Sequence, residues 1–106
     1  MSTAWKELER RICAAWGGRR SGPQGRSGPD CTATPVALQV KRSGSGSGGI
    51  RGAWVAQART DGAAARLPWV LVVAGHGSRA PVAVCDHAWL VAVCRQAGLL
   101  PPPAAP

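Results

Sequence analysis

The apolar positions at the start of the chain repeat with the spacing of an amphipathic helix. Trp5, Leu8 and Ile12 lie three and four residues apart. Because a period of 3.6 residues brings such positions onto one face, residues 2–16 are predicted to form a helix with one apolar side. The two glycines that follow predict its end at residue 17.

A different pattern, strict alternation, covers residues 36–42. Every second residue from Val36 onward is apolar, whereas Gln39 and Lys41 fall on the opposite side. Side chains alternate between the two faces of a strand, so this segment is predicted to be a strand with one buried face.

Residues 50–60 again show helical spacing, with Ile50, Ala53, Trp54 and Ala58 on one face. We predict a second helix here, with Gln57 on its inward side. It is shorter than the first helix and weaker, since Gly52 lies within it.

The second half of the chain reads as two strands and a helix. Residues 69–74 are continuously apolar, as in a central strand covered on both faces. Residues 81–85 predict the next strand, and residues 87–97 predict a helix for which Asp86 is the N-cap. This mixed order predicts a small α/β fold with a mixed central sheet flanked by helices.

The length of 106 residues favours a single domain, which we place at residues 1–98. Residues 99–106 are rich in proline, which cannot continue a helix, and are predicted to form a disordered tail. The continuous apolar run at residues 69–74 is far shorter than a membrane-spanning helix needs, and the N-terminus carries no apolar signal region. No membrane partner is therefore expected.

The net charge of +8 points to a polyanionic partner. Eleven of the thirteen basic residues are arginine, whose planar guanidinium suits phosphate oxygens. An equally simple account is a composition biased toward Ala, Gly, Arg and Pro. The four cysteines form no CxxC pair, so reduced thiols and a cytoplasmic location are expected.

Glu9 is a carboxylate in the middle of an apolar stripe. On the predicted first helix it lies one turn from both Trp5 and Cys13. A buried carboxylate without a partner is costly, so a metal cation, a basic side chain or another donor should meet it. A Glu at the helix edge that pairs with an arginine remains the plainer alternative.

A second group of polar residues gathers around the predicted strand at residues 36–42. Asp30 begins a short predicted strand at residues 30–32, nine residues before Gln39. If these two strands form a hairpin, Asp30 approaches Gln39 and Lys41. A carboxylate, an amide oxygen and an ammonium group would then meet in one place, as a metal and phosphate site requires.

These residues, in this order, resemble the PD-(D/E)xK nucleases in their small Holliday-junction-resolvase-like and phage-associated branch. The similarity covers roughly residues 4–97 and depends on the ordered set rather than on any single motif. The stretches that carry it are WKELERRICAAWGGRR, GRSGPD, VALQVKR, AWVAQAR and PWVLVVA.

The resemblance implies a restriction-endonuclease-like core of helix, three strands, helix and strand. It also implies hydrolysis of DNA phosphodiester bonds with Mg²⁺ or Mn²⁺, at branched or Holliday-junction DNA and by a homodimer. In this family's pattern Lys41 orients or activates the attacking water and steadies the phosphate. The implied catalytic set is Glu9, Asp30, Gln39, Lys41 and Gln57, and the implied metal ligands among them are Glu9, Asp30 and Gln39.

One position departs from the family pattern. The acid of the acid-x-Lys motif is Gln39, whose amide oxygen can bind a cation but carries no charge. A DNA-binding protein that keeps the nuclease fold but has impaired catalysis is therefore the alternative interpretation. The predicted contacts to the DNA backbone are Arg19, Arg20, Arg26, Arg42 and Arg51.

Overall fold

The computed structural model describes residues 3–21, 28–42, 50–75 and 80–104. These ranges contain three helices and five strands, so the predicted small α/β class is confirmed. The helices are α1 (Thr3–Ala15), α2 (Gly52–Ala65) and α3 (His87–Gln96). The strands are β1 (Arg19–Arg20), β2 (Cys31–Thr32), β3 (Ala37–Arg42), β4 (Trp69–Ala74) and β5 (Val82–Cys85).

The main sheet has three strands in the order β3-β4-β5. β4 is its central strand, as predicted, and pairs in parallel with β3 and antiparallel with β5. The β3–β4 register places Gln39 opposite Leu71. A parallel pair needs a long crossover, and α2 provides it by returning the chain across one face of the sheet.

A short two-stranded ribbon, β1 and β2, connects α1 to the main sheet. The backbone N–H of Asp30 donates to the carbonyl of Leu38 at 2.7 Å, which places the start of β2 beside β3. The element order through β4 is thus helix, three strands, helix and strand, but β1 and β2 form a sheet separate from β3-β4-β5. The restriction-endonuclease-like core that the resemblance implies therefore stays a prediction.

β3 is buried on both faces, which the alternation pattern did not predict. One face packs Val36, Leu38 and Val40 against α1 and against valines of β4. The other face lies beneath α2, and even Gln39 is buried there. The expectation of a single buried face is therefore wrong. Helix α2 covers the side on which alternating polar residues would otherwise meet solvent.

Helix α1 packs along the first face of the sheet through Ile12 and Cys13, both buried. Its end at the predicted glycine pair is confirmed. Gly17 has a φ of 85°, a conformation that favours glycine, and the N–H of Gly18 donates to the carbonyl of Cys13 at 2.9 Å.

Helix α2 continues to Ala65, five residues beyond its predicted end at Thr60. Its sheet-facing residues also differ from the prediction, because Ala53 is exposed while Gly62 is buried. Gly62 packs so closely that a Cβ there would lie 2.9 Å from the Cβ of Trp69. Tertiary packing against β4 therefore outweighs the low helix propensity of glycine.

A disulfide joins Cys13 of α1 to Cys31 of β2. The expectation of reduced thiols is wrong for this pair, while Cys85 and Cys94 are free thiols. Both bridged residues are buried within the same apolar cluster. The bridge therefore fixes α1 to the β1–β2 ribbon from inside the core.

The C-terminal part of the described chain is more exposed. Asp86 occupies the predicted N-cap position of α3, but its side chain makes no capping hydrogen bond. No residue of α3 is fully buried. Beyond the helix, Arg95 donates to the carbonyl of Pro101 at 3.2 Å. None of the helices in the described ranges combines the length and the apolarity that crossing a membrane requires.

The close contact at Gly62 predicts a destabilising substitution. Gly62→Ala should lower the free energy of unfolding by about 1–3 kcal/mol, because the added methyl meets the Leu67 carbonyl oxygen and the Trp69 side chain. Gly52→Ala is the matched control, since open space surrounds Gly52 on the same helix. Urea unfolding measures both variants. Equal stability of the two would contradict the packing of α2 described above.

The disulfide predicts how many thiols are free in the unreduced protein and how much stability the bridge contributes. After unfolding without reductant, alkylation should label two thiols, Cys85 and Cys94. Replacing Cys13 and Cys31 together by alanine should reduce the free energy of unfolding by about 3 kcal/mol, because the bridge restricts the unfolded chain. Cys94→Ala is the control and should have a much smaller effect. Four labelled thiols would show that the bridge does not form.

Candidate active site

Asp30 is held against β3 by its backbone and by its side chain. Its N–H donates to Leu38, and its Oδ2 accepts the backbone N–H of Val40 at 2.7 Å. These two bonds place the carboxylate beside the strand positions Gln39 and Lys41. Asp30 therefore approaches β3 as predicted, although β2 pairs with β1 and does not form the predicted hairpin with β3.

Gln39 lies at the centre of the candidate site and is 1% exposed. Its Nε2 donates to the carbonyl oxygen of Gly28 at 2.9 Å and also to Oδ2 of Asp61. The side chain therefore connects the segment before β2 to helix α2. Both N–H groups of the amide have acceptors, so the amide oxygen is the atom that can accept from, or bind to, a further group.

Asp61 is a residue that the sequence analysis missed. It lies on α2, half-buried, and accepts the hydrogen bond from Gln39. The predicted helix ended one residue before it, so its position on the sheet-facing side was not considered. The available signal was the one used for Glu9, since Asp61 is three residues after Ala58, which faces the sheet.

Burial is the main cause that raises the pKa of Asp30 above its ordinary value, because the charged carboxylate loses contact with water. The hydrogen bond from Val40 opposes this shift. The negative charges of Glu9 and Asp61 raise the same pKa further, whereas the ammonium of Lys41 lowers it. Groups from α1, β2, β3 and α2 thus share one electrostatic environment.

Glu9 projects from α1 and is paired with Arg20 of β1. The Arg20 Nε donates to Glu9 Oε1 at 2.5 Å, and the Glu9 side chain is 12% exposed. A basic side chain therefore meets this carboxylate, as one of the alternatives for Glu9 expected. A role for Glu9 as a metal ligand stays a prediction.

The other predicted site residues lie farther out. Gln57 is exposed, so its placement on the inward face of α2 is wrong. Arg19 and Arg42 are also exposed, and the Arg51 guanidinium lies 5.6 Å from the centre of the Trp54 ring. Arg26 lies outside the described residues. Contacts of these arginines with DNA stay predictions.

The oxygen atoms at this site suit a hard divalent cation in chemical type. Asp30 and Asp61 offer carboxylate oxygens, and Gln39 offers an amide oxygen, which are the donors that Mg²⁺ and Mn²⁺ prefer. Across the described part of the chain, no three Asp, Glu, His or Cys side chains are already grouped as a metal cage. A cation would therefore rely on two carboxylates, the amide and water.

No protein-family model, curated protein or solved structure matches this chain. The family resemblance thus depends on the ordered residues of the sequence. The geometry of the site is an independent observation, because it follows from which side chains the fold brings together.

The raised pKa of Asp30 predicts a dependence of stability on pH. The folded state binds the proton more tightly than the unfolded state, so this carboxyl destabilises the fold increasingly as pH rises from about 3.8 through the raised pKa. Asp30→Asn keeps an oxygen to accept the Val40 N–H and should therefore increase stability at pH 7. The gain should vanish below the ordinary pKa of Asp. Chemical unfolding from pH 3 to 7 measures it, with exposed Asp86→Asn as the control. A variant less stable than the parent at pH 7 would contradict the account.

Proposed function

We propose that this protein is a metal-dependent DNA endonuclease that hydrolyses phosphodiester bonds. The observation that carries the proposal is the arrangement around Asp30. A partly buried carboxylate, fixed by the Val40 N–H, shares one electrostatic environment with Lys41 and with two further carboxylates. This combination of hard oxygen donors and an ammonium group is what phosphodiester hydrolysis with Mg²⁺ or Mn²⁺ needs.

In this proposal the oxygen donors bind the cation, and the lysine binds the phosphate. Asp30, with the amide oxygen of Gln39, would hold the cation, and Glu9 is the further candidate ligand. When bound, the cation neutralises charge on the scissile phosphate and lowers the pKa of a bound water. Lys41 projects from the same face of β3 as Gln39, so its ammonium can donate to a phosphate oxygen and orient the attacking water.

Exposed basic residues near these elements support DNA as the substrate. Arg19 follows α1, Arg42 ends β3, and Arg51 precedes α2. The net charge of +8 adds a long-range attraction to phosphates. Branched or Holliday-junction DNA and a homodimeric enzyme belong to this proposal through the family resemblance. A cytoplasmic location is the expectation from the cysteine spacing. The Cys13–Cys31 disulfide favours an oxidising compartment instead.

A second candidate function is DNA binding without catalysis. The observation that favours it is that two key side chains of the site already have hydrogen-bonding partners within the protein. Gln39 donates to Gly28 and Asp61, and Glu9 is paired with Arg20. These contacts stabilise the site in the absence of a cation, as a purely structural network would.

The test is cleavage of labelled four-way junction, flap, linear duplex and single-stranded DNA with Mg²⁺ or Mn²⁺. The proposal expects cutting that EDTA abolishes, and a loss of at least about 100-fold for Lys41→Ala, because the transition-state charge loses a positioned donor. Lys6→Ala removes the other lysine of the chain, which lies on α1 and is not in the proposed catalytic set, and should cut normally.

The outcomes separate the two candidates. Tight DNA binding with no cutting in either metal would establish the non-catalytic alternative. Cutting that survives in Lys41→Ala would show that Lys41 has no part in the reaction, and cutting that is insensitive to EDTA would exclude the metal.

A further inference from the structure

We propose that Asp61 of α2 is a metal ligand of this site and supplies the carboxylate that β3 lacks at Gln39. The inference rests on the proposed function. It assigns the missing negative charge to a residue that the family pattern does not include, and it gives Gln39 the role of positioning that residue.

The first observation is the direct contact between the two side chains. Gln39 Nε2 donates to Asp61 Oδ2, so the carboxylate of α2 lies next to the strand position that normally carries the acid. The two residues are 22 apart in sequence, and the contact exists only because α2 crosses the sheet at this point.

The second observation concerns the amide oxygen of Gln39. No donor to this oxygen is found in the described ranges, since the hydrogen bonds of the side chain are both made through Nε2. The amide oxygen of this buried side chain is therefore the atom of Gln39 that a water molecule or a cation can bind.

The third observation is the placement of two carboxylates at neighbouring positions of one strand. Asp30 accepts the backbone N–H of Val40, and Asp61 accepts from the side chain of the preceding residue, Gln39. A divalent cation between the two carboxylates would give each of them an opposite charge to face.

The packing of α2 explains how Asp61 is fixed there. The next residue, Gly62, contacts the backbone and side chain of the segment from Leu67 to Trp69, and Ala58 is fully buried one turn earlier. Small residues thus bring the helix close to the sheet. Asp61 therefore lies beside Gln39 of β3 and is half-buried.

A simpler role for the pair is to anchor α2 to the sheet through a hydrogen bond. Three variants separate the two roles: Asp61→Asn, Gln39→Glu, and the double exchange of both. The double variant moves the negative charge from the helix to the strand. The amide introduced at position 61 can still donate to the carboxylate introduced at position 39, so the hydrogen bond is kept. Asp86→Asn is the matched control on an exposed aspartate.

The experiment measures Mn²⁺ binding by the loss of the free-ion signal in electron paramagnetic resonance, alongside cleavage of the preferred DNA substrate. We expect Asp61→Asn to weaken Mn²⁺ binding by at least about 10-fold and to reduce cleavage with it. The double exchange should restore most of both, and Asp86→Asn should leave both unchanged. Circular dichroism confirms that each variant is folded.

Unchanged Mn²⁺ binding by a folded Asp61→Asn would overturn the inference, even if the parent chain cuts DNA. A double exchange that binds as weakly as the single variant would also overturn it. If Asp61→Asn fails to fold, Gln39→Glu decides, since a third carboxylate should tighten Mn²⁺ binding at this site and an unchanged affinity would refute the assignment. A parent chain that neither binds Mn²⁺ nor cuts DNA would overturn both the inference and the proposed function.

Discussion

The parallel pairing of β3 with β4 is the constraint on which the rest of the structure depends. It requires a crossover, and α2 provides one that covers the face of the sheet on which Gln39 and Lys41 project. The same pairing leaves the other face free for α1. Both faces of the β3–β4 pair are then buried, so the polar groups on β3 must find hydrogen-bonding partners within the fold.

That requirement explains why the polar residues form a network. Asp30 accepts from the backbone of β3, Gln39 donates to Asp61, and Glu9 accepts from Arg20. Each contact joins two different elements. The polar side chains that make a candidate site are thus also the contacts that fix α1, the β1–β2 ribbon and α2 around the sheet.

The sequence predicts the elements whose pattern is local. The alternation of β3, the continuous apolar run of β4 and the helical spacing of α1 all depend on neighbours along the chain, and their predicted bounds differ little from the structure. The end of α2 and the burial of Gln39 depend on packing across the sheet. The close packing of Gly62 against Trp69 leaves no signal in the local sequence pattern, so the predicted helix ends too early and does not include Asp61.

The burial of charged groups at this site lowers the stability of the fold but would favour the binding of a cation. Burial raises the pKa of Asp30, and the charges of Glu9 and Asp61 add to the shift, so the fold is less stable when Asp30 is ionised. A fold that places several carboxylates close together needs stabilising contacts outside the site. The Cys13–Cys31 bridge supplies it by linking α1, which carries Glu9, to the residue that follows Asp30. A covalent link at this point keeps the two carboxylates close despite their repulsion, so the proposed cation would bind to a site that is already assembled.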